Sequence, residues 1–285
     1  MRWREGRTGG NVEDRRGLSG GKTAAGGGIG VIVIALVAYF VFGISPEQTL
    51  KMASQFGGAG AAERQDGTKG TPEDEAGAFV DIVSANVTDV WKQLYRDYQE
   101  PKVIIYNNGT QTGGCGYGQA AMGPFYCPAD QAVYLDLEFW TTMEKQLGAS
   151  GADFARAYVI AHEFGHHIQN LMGTNAKVRK AQNAAGSKAE ANKYQVAMEL
   201  QADCYAGVWA ANASKVSNGR VAMEAGDIEE GLKTAKAIGD DALMRNAGQK
   251  VTPEAFTHGT SEQRMEWLRR GYRTGDPRQC DTFGG

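Results

Sequence analysis

The hydrophobic pattern begins with a continuous apolar run near the start of the chain. Residues 29–44 read IGVIVIALVAYFVFGI, and no charged side chain occurs between residues 23 and 45. A helix that crosses a bilayer needs about 20 apolar residues and is apolar on every side, so residues 26–45 are predicted to form a transmembrane helix. A cleaved signal peptide and a buried core helix are the alternatives. The long basic start and the poor cleavage sequence SPEQ at residues 45–48 favour an uncleaved anchor.

Beyond the apolar run, the pattern predicts a linker and then a folded domain. Residues 46–77 are rich in Gly, Ala, Gln and charged residues, which is typical of a flexible linker. The next segments are predicted from their periodicity as a helix at residues 78–97, strands at 101–106 and 132–137, and a glycine-rich loop at 109–123. After Asp153 the pattern is mostly helical. Residues 78–285 are therefore expected to form one α+β domain with a small sheet and a helical majority.

The distribution of charge predicts an orientation for the anchor. Residues 1–25 carry six Arg and Lys residues against three acidic ones, and the whole chain has a net charge of -3. Basic flanks of a membrane span stay in the cytoplasm. We therefore expect a single-pass protein of the inner membrane, with residues 1–25 in the cytoplasm and the domain in the periplasm or outside the cell. The acidic balance argues against a nucleic-acid partner.

The cysteines are consistent with an oxidising compartment. The chain has four of them, Cys115, Cys127, Cys204 and Cys280, and four cysteines allow three pairings. Cys115 and Cys127 flank a glycine-rich stretch, which favours a local disulfide and leaves Cys204 to pair with Cys280. The alternative is that the cysteines are reduced and buried in a cytosolic domain, but the predicted anchor argues against a cytosolic domain.

One predicted helix contains the residues with the clearest chemistry. Residues 152–171 have an apolar stripe and include HEFGH at residues 162–166. Residues four apart lie on one face of a helix, so His162 and His166 can bind one metal ion while Glu163 reaches a bound water. This is the H-E-x-x-H arrangement of zinc peptidases. Histidines that merely face the core are the alternative, but their burial without a partner would be costly.

A catalytic zinc ion usually has three protein ligands and one water. The motif supplies two protein ligands, so a third must come from elsewhere in the chain. His167 lies about 100° around the helix from His166 and should miss the ion. The third ligand is therefore a carboxylate or His258.

A later predicted helix, residues 189–215, offers that carboxylate. Glu199 and Asp203 share one of its faces. Glu199 is the expected third ligand, and Asp203 is expected to accept a hydrogen bond from the second ring nitrogen of a ligand histidine. An ordinary solvated helix face is the alternative, but the surrounding residues are largely apolar.

Several stretches together resemble the bacterial neutral zinc metallopeptidase family, whose members are membrane proteins. The two most specific are HEFGHHIQ and ELQADCYAGVWA, and others are MRWREGR and FTHGTSEQRMEWLRRGY. The resemblance covers nearly the whole chain. It implies a zincin-like domain behind one span, with His162, His166 and Glu199 as zinc ligands and Glu163 as the catalytic base.

The expected function is then a membrane-anchored zinc metallopeptidase that hydrolyses a peptide or protein by a zinc-activated water, with Glu163 as general base. His258 is a candidate donor to the oxyanion; the alternative is a structural role in its loop. Arg264 and Tyr134 are weaker candidates. Two other functions remain open: a zinc-stabilised scaffold without catalysis, and a zinc hydrolase of non-peptide amides.

Two further expectations concern the surroundings of this site. Thr260 and Gln263 are predicted to form a capping box that opens a helix over residues 261–272, with His258 in the loop before it. The strand at residues 132–137 is either an edge strand that a peptide substrate could extend or a central, fully paired strand.

Overall fold

The computed structural model describes residues 1–17, 67–119 and 123–284. Within them lie seven short β-strands: β1 (Val12–Asp14), β2 (Thr68–Gly70), β3 (Lys102–Tyr106), β4 (Gly109–Gln111), β5 (Tyr117–Gln119), β6 (Phe125–Cys127) and β7 (Ala132–Asp136). Five of them form a mixed sheet in the order β2-β1-β3-β7-β6. In this sheet β1, β3 and β7 are parallel, whereas β2 and β6 run antiparallel at its two edges. β4 and β5 pair separately.

Eight α-helices complete the described part of the chain: α1 (Glu75–Leu94), α2 (Phe139–Lys145), α3 (Asp153–Leu171), α4 (Thr174–Ala184), α5 (Lys188–Val216), α6 (Asp227–Ala237), α7 (Asp240–Asn246) and α8 (Ser261–Thr274). The predicted α+β architecture with a helical majority is confirmed. α8 begins with the predicted capping box of Thr260 and Gln263. Among the described helices, none combines the length and the apolarity that crossing a membrane requires. The helix predicted at residues 26–45 lies outside the described residues.

The main hydrophobic core lies between one face of the sheet and the helices. Alternate strand residues point toward it, since successive side chains of a strand face opposite sides; these are Val103, Ile105, Val133 and Leu135. The other face forms a smaller cluster around Ile104, Tyr106 and Tyr134. The sheet therefore supports the helical layer that carries the candidate chemistry.

Two glycines allow the helices of this layer to approach each other closely. A Cβ atom on Gly165 of α3 would lie 3.0 Å from the Cα of Ala202 on α5. A Cβ atom on Gly271 of α8 would lie only 1.9 Å from the carbonyl oxygen of Cys204, also on α5. α5 therefore packs backbone against backbone with both neighbours.

The first residues of the chain belong to the same folded unit. Trp3 is 4% exposed, and its ring packs edge-on against Phe79 at 5.0 Å. Its indole N–H donates a hydrogen bond to Asp153 at the start of α3, at 2.8 Å. The N–H groups of Gly9 and Gly10 both donate to Asp81 of α1 at 2.9 Å.

The predicted domain boundaries are therefore corrected in the described parts. Residues 1–17 are not a separate basic region, because β1 pairs with neighbours on both sides in the interior of the sheet. Residues 67–77 are not a flexible linker, because they contain β2 and Asp74, which caps α1. Strands of three residues, such as β1 and β2, are too short for a local sequence pattern to predict how they pair.

The position of β1 also constrains the predicted membrane topology. β1 and β2 are antiparallel neighbours, with Asp14 opposite Thr68, so the chain leaves the sheet and returns to it at one place. Both ends of the stretch at 18–66, itself outside the described residues, must then lie on the same side of any membrane. A single span in that stretch would put them on opposite sides. A cytoplasmic N-terminus with the domain across the membrane is thus inconsistent with this sheet, and the compartment of the domain stays a prediction.

Two other predictions about the sheet region are resolved. β7 is buried and pairs with β3 on one side and β6 on the other, so it is a central strand and not a free edge for a substrate. The predicted loop at residues 109–123 contains β4 and β5. The cysteines form the favoured pairs, Cys115–Cys127 and Cys204–Cys280.

We expect the substitution Trp3→Ala to lower the free energy of unfolding of the whole domain by about 3–5 kcal/mol, because it removes a large buried side chain and leaves a cavity. Glu5→Ala, at an exposed neighbouring position, should change it by less than about 0.5 kcal/mol. Urea unfolding of the detergent-solubilised full chain measures both. Equal midpoints for wild type and Trp3→Ala would contradict the inclusion of residues 1–17 in the domain.

Candidate metal centre

Two helices bring three potential metal ligands together. α3 presents His162 and His166 one turn apart, and α5 presents Glu199, which is 37 residues from His162 in the sequence. The Nε2 atoms of His162 and His166 lie 3.2 Å and 3.6 Å from Oε2 of Glu199. The three ligand atoms all lie within 4.8 Å of one another. The structure thus places the three predicted ligands around one point.

The geometry and chemistry of this group suit zinc. Ligand atoms at about 2.0–2.2 Å from a tetrahedral ion are about 3.3–3.6 Å apart, close to the two distances to Glu199. Two imidazoles and one carboxylate are also a donor set of catalytic zinc that leaves one position open. Elsewhere in the described residues, no other group of three or more His, Cys, Asp or Glu side chains has this arrangement.

The electrostatic environment favours a cation between the three side chains. Burial would lower the pKa of His162, but the carboxylates of Asp203 and Glu199 outweigh it and raise the pKa to about 10. Burial also opposes charge on His166, and Glu199 again raises its pKa. A divalent ion bound at this point would supply the positive charge that the two carboxylates favour.

Asp203 supports the first histidine in the way the sequence analysis expected. Nδ1 of His162 lies 2.8 Å from Oδ1 of Asp203, which is fully buried. Burial alone would raise the pKa of Asp203, but the positive charges of Arg264 and His162 outweigh it and lower the pKa to about 2. An ionised acceptor behind Nδ1 leaves Nε2 directed at the ligand group.

Gln169 supports the second histidine, and the sequence analysis missed it. Its Oε1 lies 2.9 Å from Nδ1 of His166. The amide is fully buried, and its Nε2 donates to the carbonyl oxygen of Met198 at 2.7 Å and to Oε1 of Gln201 at 3.1 Å. The spacing of three residues from His166 on the same helix is the signal that could have identified it.

Glu199 is held by a neighbour on its own helix. Nε2 of Gln195, one turn earlier, donates to Oε1 of Glu199 at 3.0 Å. That contact occupies one carboxylate oxygen and leaves Oε2 facing the two imidazoles. The long helix α5 therefore supplies both the third potential ligand and its support.

Glu163 lies beside the ligands without being one of them. It is 7% exposed, and its carboxylate makes no hydrogen bond or ion pair with the described residues. Burial raises its pKa above the usual value, an effect that the nearby His166 and His162 partly offset. A buried carboxylate with a raised pKa next to a metal site can accept a proton from a bound water.

The remaining predicted candidates have other partners. His167 faces away from the ligands, as predicted: its ring nitrogens contact the hydroxyl of Tyr126 at 3.0 Å and the carbonyl oxygen of Gln99 at 2.6 Å. The hydroxyl of Tyr134 donates to Asp130 at 2.6 Å. Tyr134 is thus fully buried, with its hydroxyl engaged by Asp130.

His258 lies in the loop before α8, as expected. Its Nδ1 lies 3.1 Å from the hydroxyl of Thr257 and 3.3 Å from Oδ1 of Asp240. Asp240 also accepts the backbone N–H groups of residues 257–259, so the structural role considered for His258 has a clear partner. The ring is 28% exposed, and it interacts electrostatically with Glu199. Asp240, which the sequence analysis missed, therefore fixes this loop beside the ligand group.

The chain matches the family described as "Putative neutral zinc metallopeptidase" over residues 1–283. It is 44% identical to "Uncharacterized protein YpfJ" of Escherichia coli (strain K12) over 298 aligned residues, which cover 100% of this chain and 99% of that protein. It is 43% identical to "Uncharacterized protein Rv2575" of Mycobacterium tuberculosis over 210 residues, 71% of this chain and 69% of that protein. No solved structure matches it significantly.

We expect Glu199→Gln to weaken zinc binding by at least about 100-fold, beyond the 10–100-fold typical of losing a supporting residue, because a neutral amide replaces a charged ligand. Glu190→Gln is the matched control, since Glu190 is an exposed acid on the same helix. Competition with a chromophoric chelator measures both affinities. Equal zinc affinity in the two variants would show that Glu199 is not a ligand.

Proposed function

The chain belongs to the neutral zinc metallopeptidase family, and from this premise we propose that it is a zinc-dependent peptidase with His162, His166 and Glu199 as ligands. The observation that most strongly supports this proposal is the convergence of two Nε2 atoms and one carboxylate oxygen beside the buried Glu163. Peptides or proteins are the substrate class that the family description implies.

The proposed chemistry divides between the metal and the side chains. Zinc, when bound, lowers the pKa of a water toward 7 and polarises the carbonyl that is attacked. Glu163 accepts the proton of the attacking water and then donates it to the leaving amine. Glu163 is buried beside the ligands and makes no hydrogen bond or ion pair with the described residues, so its carboxylate is available for this exchange.

We assign His258 as the proposed donor to the oxyanion that forms on the substrate. The ring is partly exposed, and the next residue, Gly259, packs against α5 beside Glu199, since a Cβ atom on it would lie 3.2 Å from Leu200; both observations support a position at the edge of the site. Asp240 holds Nδ1 and the surrounding backbone, which would keep the ring in one orientation. Donors that are already oriented stabilise developing charge without reorganisation.

The location of the protein also remains a proposal. Two disulfides support an oxidising compartment such as the periplasm. Attachment to the membrane through residues 26–45 stays a prediction, with the condition that both flanks of the segment lie on one side.

A zinc-stabilised scaffold is the second candidate function. Structural zinc sites usually have four protein ligands. Here three potential ligands converge among the described residues, which favours a catalytic site over a structural one. A hydrolase of non-peptide amides would use the same site, and only the substrates that are cleaved can separate it from a peptidase.

We expect Glu163→Gln to lower kcat by about 10²–10⁴-fold, because the general base is lost, while zinc content and thermal stability stay unchanged. Cleavage of a quenched fluorescent peptide library by the zinc-loaded protein measures this effect, with Glu190→Gln as the control. Zinc-loaded wild type that cleaves no peptide would favour the scaffold or the amide hydrolase.

We expect His258→Asn to lower kcat by about 10²–10³-fold, the range for removal of one oxyanion donor, at unchanged zinc affinity. The asparagine amide can replace Nδ1 as donor to Asp240 but cannot replace Nε2, so the loop should keep its anchor. Thermal unfolding and peptide cleavage measured together distinguish the two roles of His258. Lower stability with normal kcat would assign it the structural role alone.

A further inference from the structure

A buried ion pair stands behind the first ligand histidine. Oδ1 of Asp203 accepts hydrogen bonds from the Tyr158 hydroxyl at 2.6 Å and from Nδ1 of His162 at 2.8 Å. Arg264 donates from Nε to Oδ2 at 2.8 Å and from Nη2 to Oδ1 at 2.9 Å. The guanidinium and the carboxylate are therefore joined by two parallel hydrogen bonds, the strongest geometry for such a pair.

The guanidinium of Arg264 is fully engaged within the protein. The residue is 3% exposed, its Nη1 donates to the carbonyl oxygen of Ile238 at 3.3 Å, and its Nη2 also contacts the Tyr158 hydroxyl at 3.2 Å. A side chain held in this way is not available to a substrate. Arg264, a weaker candidate in the sequence analysis, is therefore not an oxyanion donor. Its contact with Asp203 must serve another purpose.

The helices fix the separation of the two charges. Arg264 lies in the first turns of α8, which opens with a capping box. α8 crosses α5 with Gly271 against the backbone of Cys204, the residue that follows Asp203. The Cys204–Cys280 disulfide joins α5 to the chain after α8 at the same level. Packing and a covalent link thus both act on α5 at the residue next to Asp203.

We propose that Arg264, together with Tyr158, is a positioning residue of the metal centre: it holds the Asp203 carboxylate where it accepts a hydrogen bond from the Nδ1–H group of His162, and this bond directs Nε2 at the metal. This inference rests on the proposed function. Supporting residues of this kind keep a ligand imidazole in one tautomer and one orientation. The planar fork of arginine matches both carboxylate oxygens, which a lysine cannot do.

The support is specific to one of the two histidines. Nδ1 of His166 donates instead to the neutral amide oxygen of Gln169, which has no contact with Arg264 among the described residues. Loss of the arginine fork should therefore loosen the coordination by His162 and leave that by His166 intact. A metal ion whose d–d spectrum reports coordination, Co²⁺, is a suitable probe of this difference.

The test uses Arg264→Lys and Tyr158→Phe in the full chain, with Arg269→Gln as the matched control, since Arg269 is an exposed arginine of α8. Zinc dissociation constants come from chelator competition, and circular dichroism verifies folding. We expect zinc binding to weaken by about 10–100-fold in Arg264→Lys and by about tenfold in Tyr158→Phe, with altered Co²⁺ spectra. Arg269→Gln should match wild type, and saturating zinc should restore kcat in both variants.

Unchanged zinc affinity in folded Arg264→Lys and Tyr158→Phe would overturn the inference. So would a lower kcat at saturating zinc with normal zinc affinity, because that result would assign Arg264 to the substrate. Tyr158→Phe alone decides the matter if Arg264→Lys does not fold. Wild type that binds zinc but cleaves no peptide would contradict the proposed function, while the zinc affinities would still decide this inference. Wild type that binds no zinc would overturn both.

Discussion

The close crossing of α3 and α5 is the contact on which the candidate site depends. Neither helix holds a complete set of ligands, since α3 carries two imidazoles and α5 carries the carboxylate. Helices separated by ordinary side chains lie about 8–10 Å apart. Gly165, inside the H-E-x-x-H motif, removes the side chain at the crossing, so that the backbone of Ala202 packs directly against α3. The motif thus contributes to the packing that completes the site as well as to its chemistry.

The interior around this crossing is unusually polar, and the charges stabilise one another. Asp203, Arg264, His162 and Glu199 are all nearly inaccessible to water. A buried charge is tolerated when an opposite charge and hydrogen bonds accompany it, and it becomes strongly destabilising when one partner is removed. The network therefore couples the helical layer to the metal site: the contacts that orient the ligands are also the contacts that allow the charges to be buried.

The sheet on the other side of the helices joins distant parts of the chain into one unit. β1 pairs with strands from after the undescribed stretch, and Trp3 contacts both α1 and the start of α3. The helix α3, which carries the H-E-x-x-H motif, therefore begins in contact with the first residues of the chain. This arrangement makes the N-terminal sequence a structural part of the domain.

Local features of this protein could be predicted from the sequence alone, because they depend on periods of a few residues. The placement of His162, Glu163 and His166 on one helix, the capping box at Thr260 and the helical majority all follow from the 3.6-residue repeat and from capping chemistry. Only the tertiary structure decided that β1 pairs within the sheet, that β7 is central, and that Asp240 and Arg264 support the site. Those features arise from contacts between residues far apart in sequence, which no local period records, since pairing and burial are settled by the competition among whole elements for the same core.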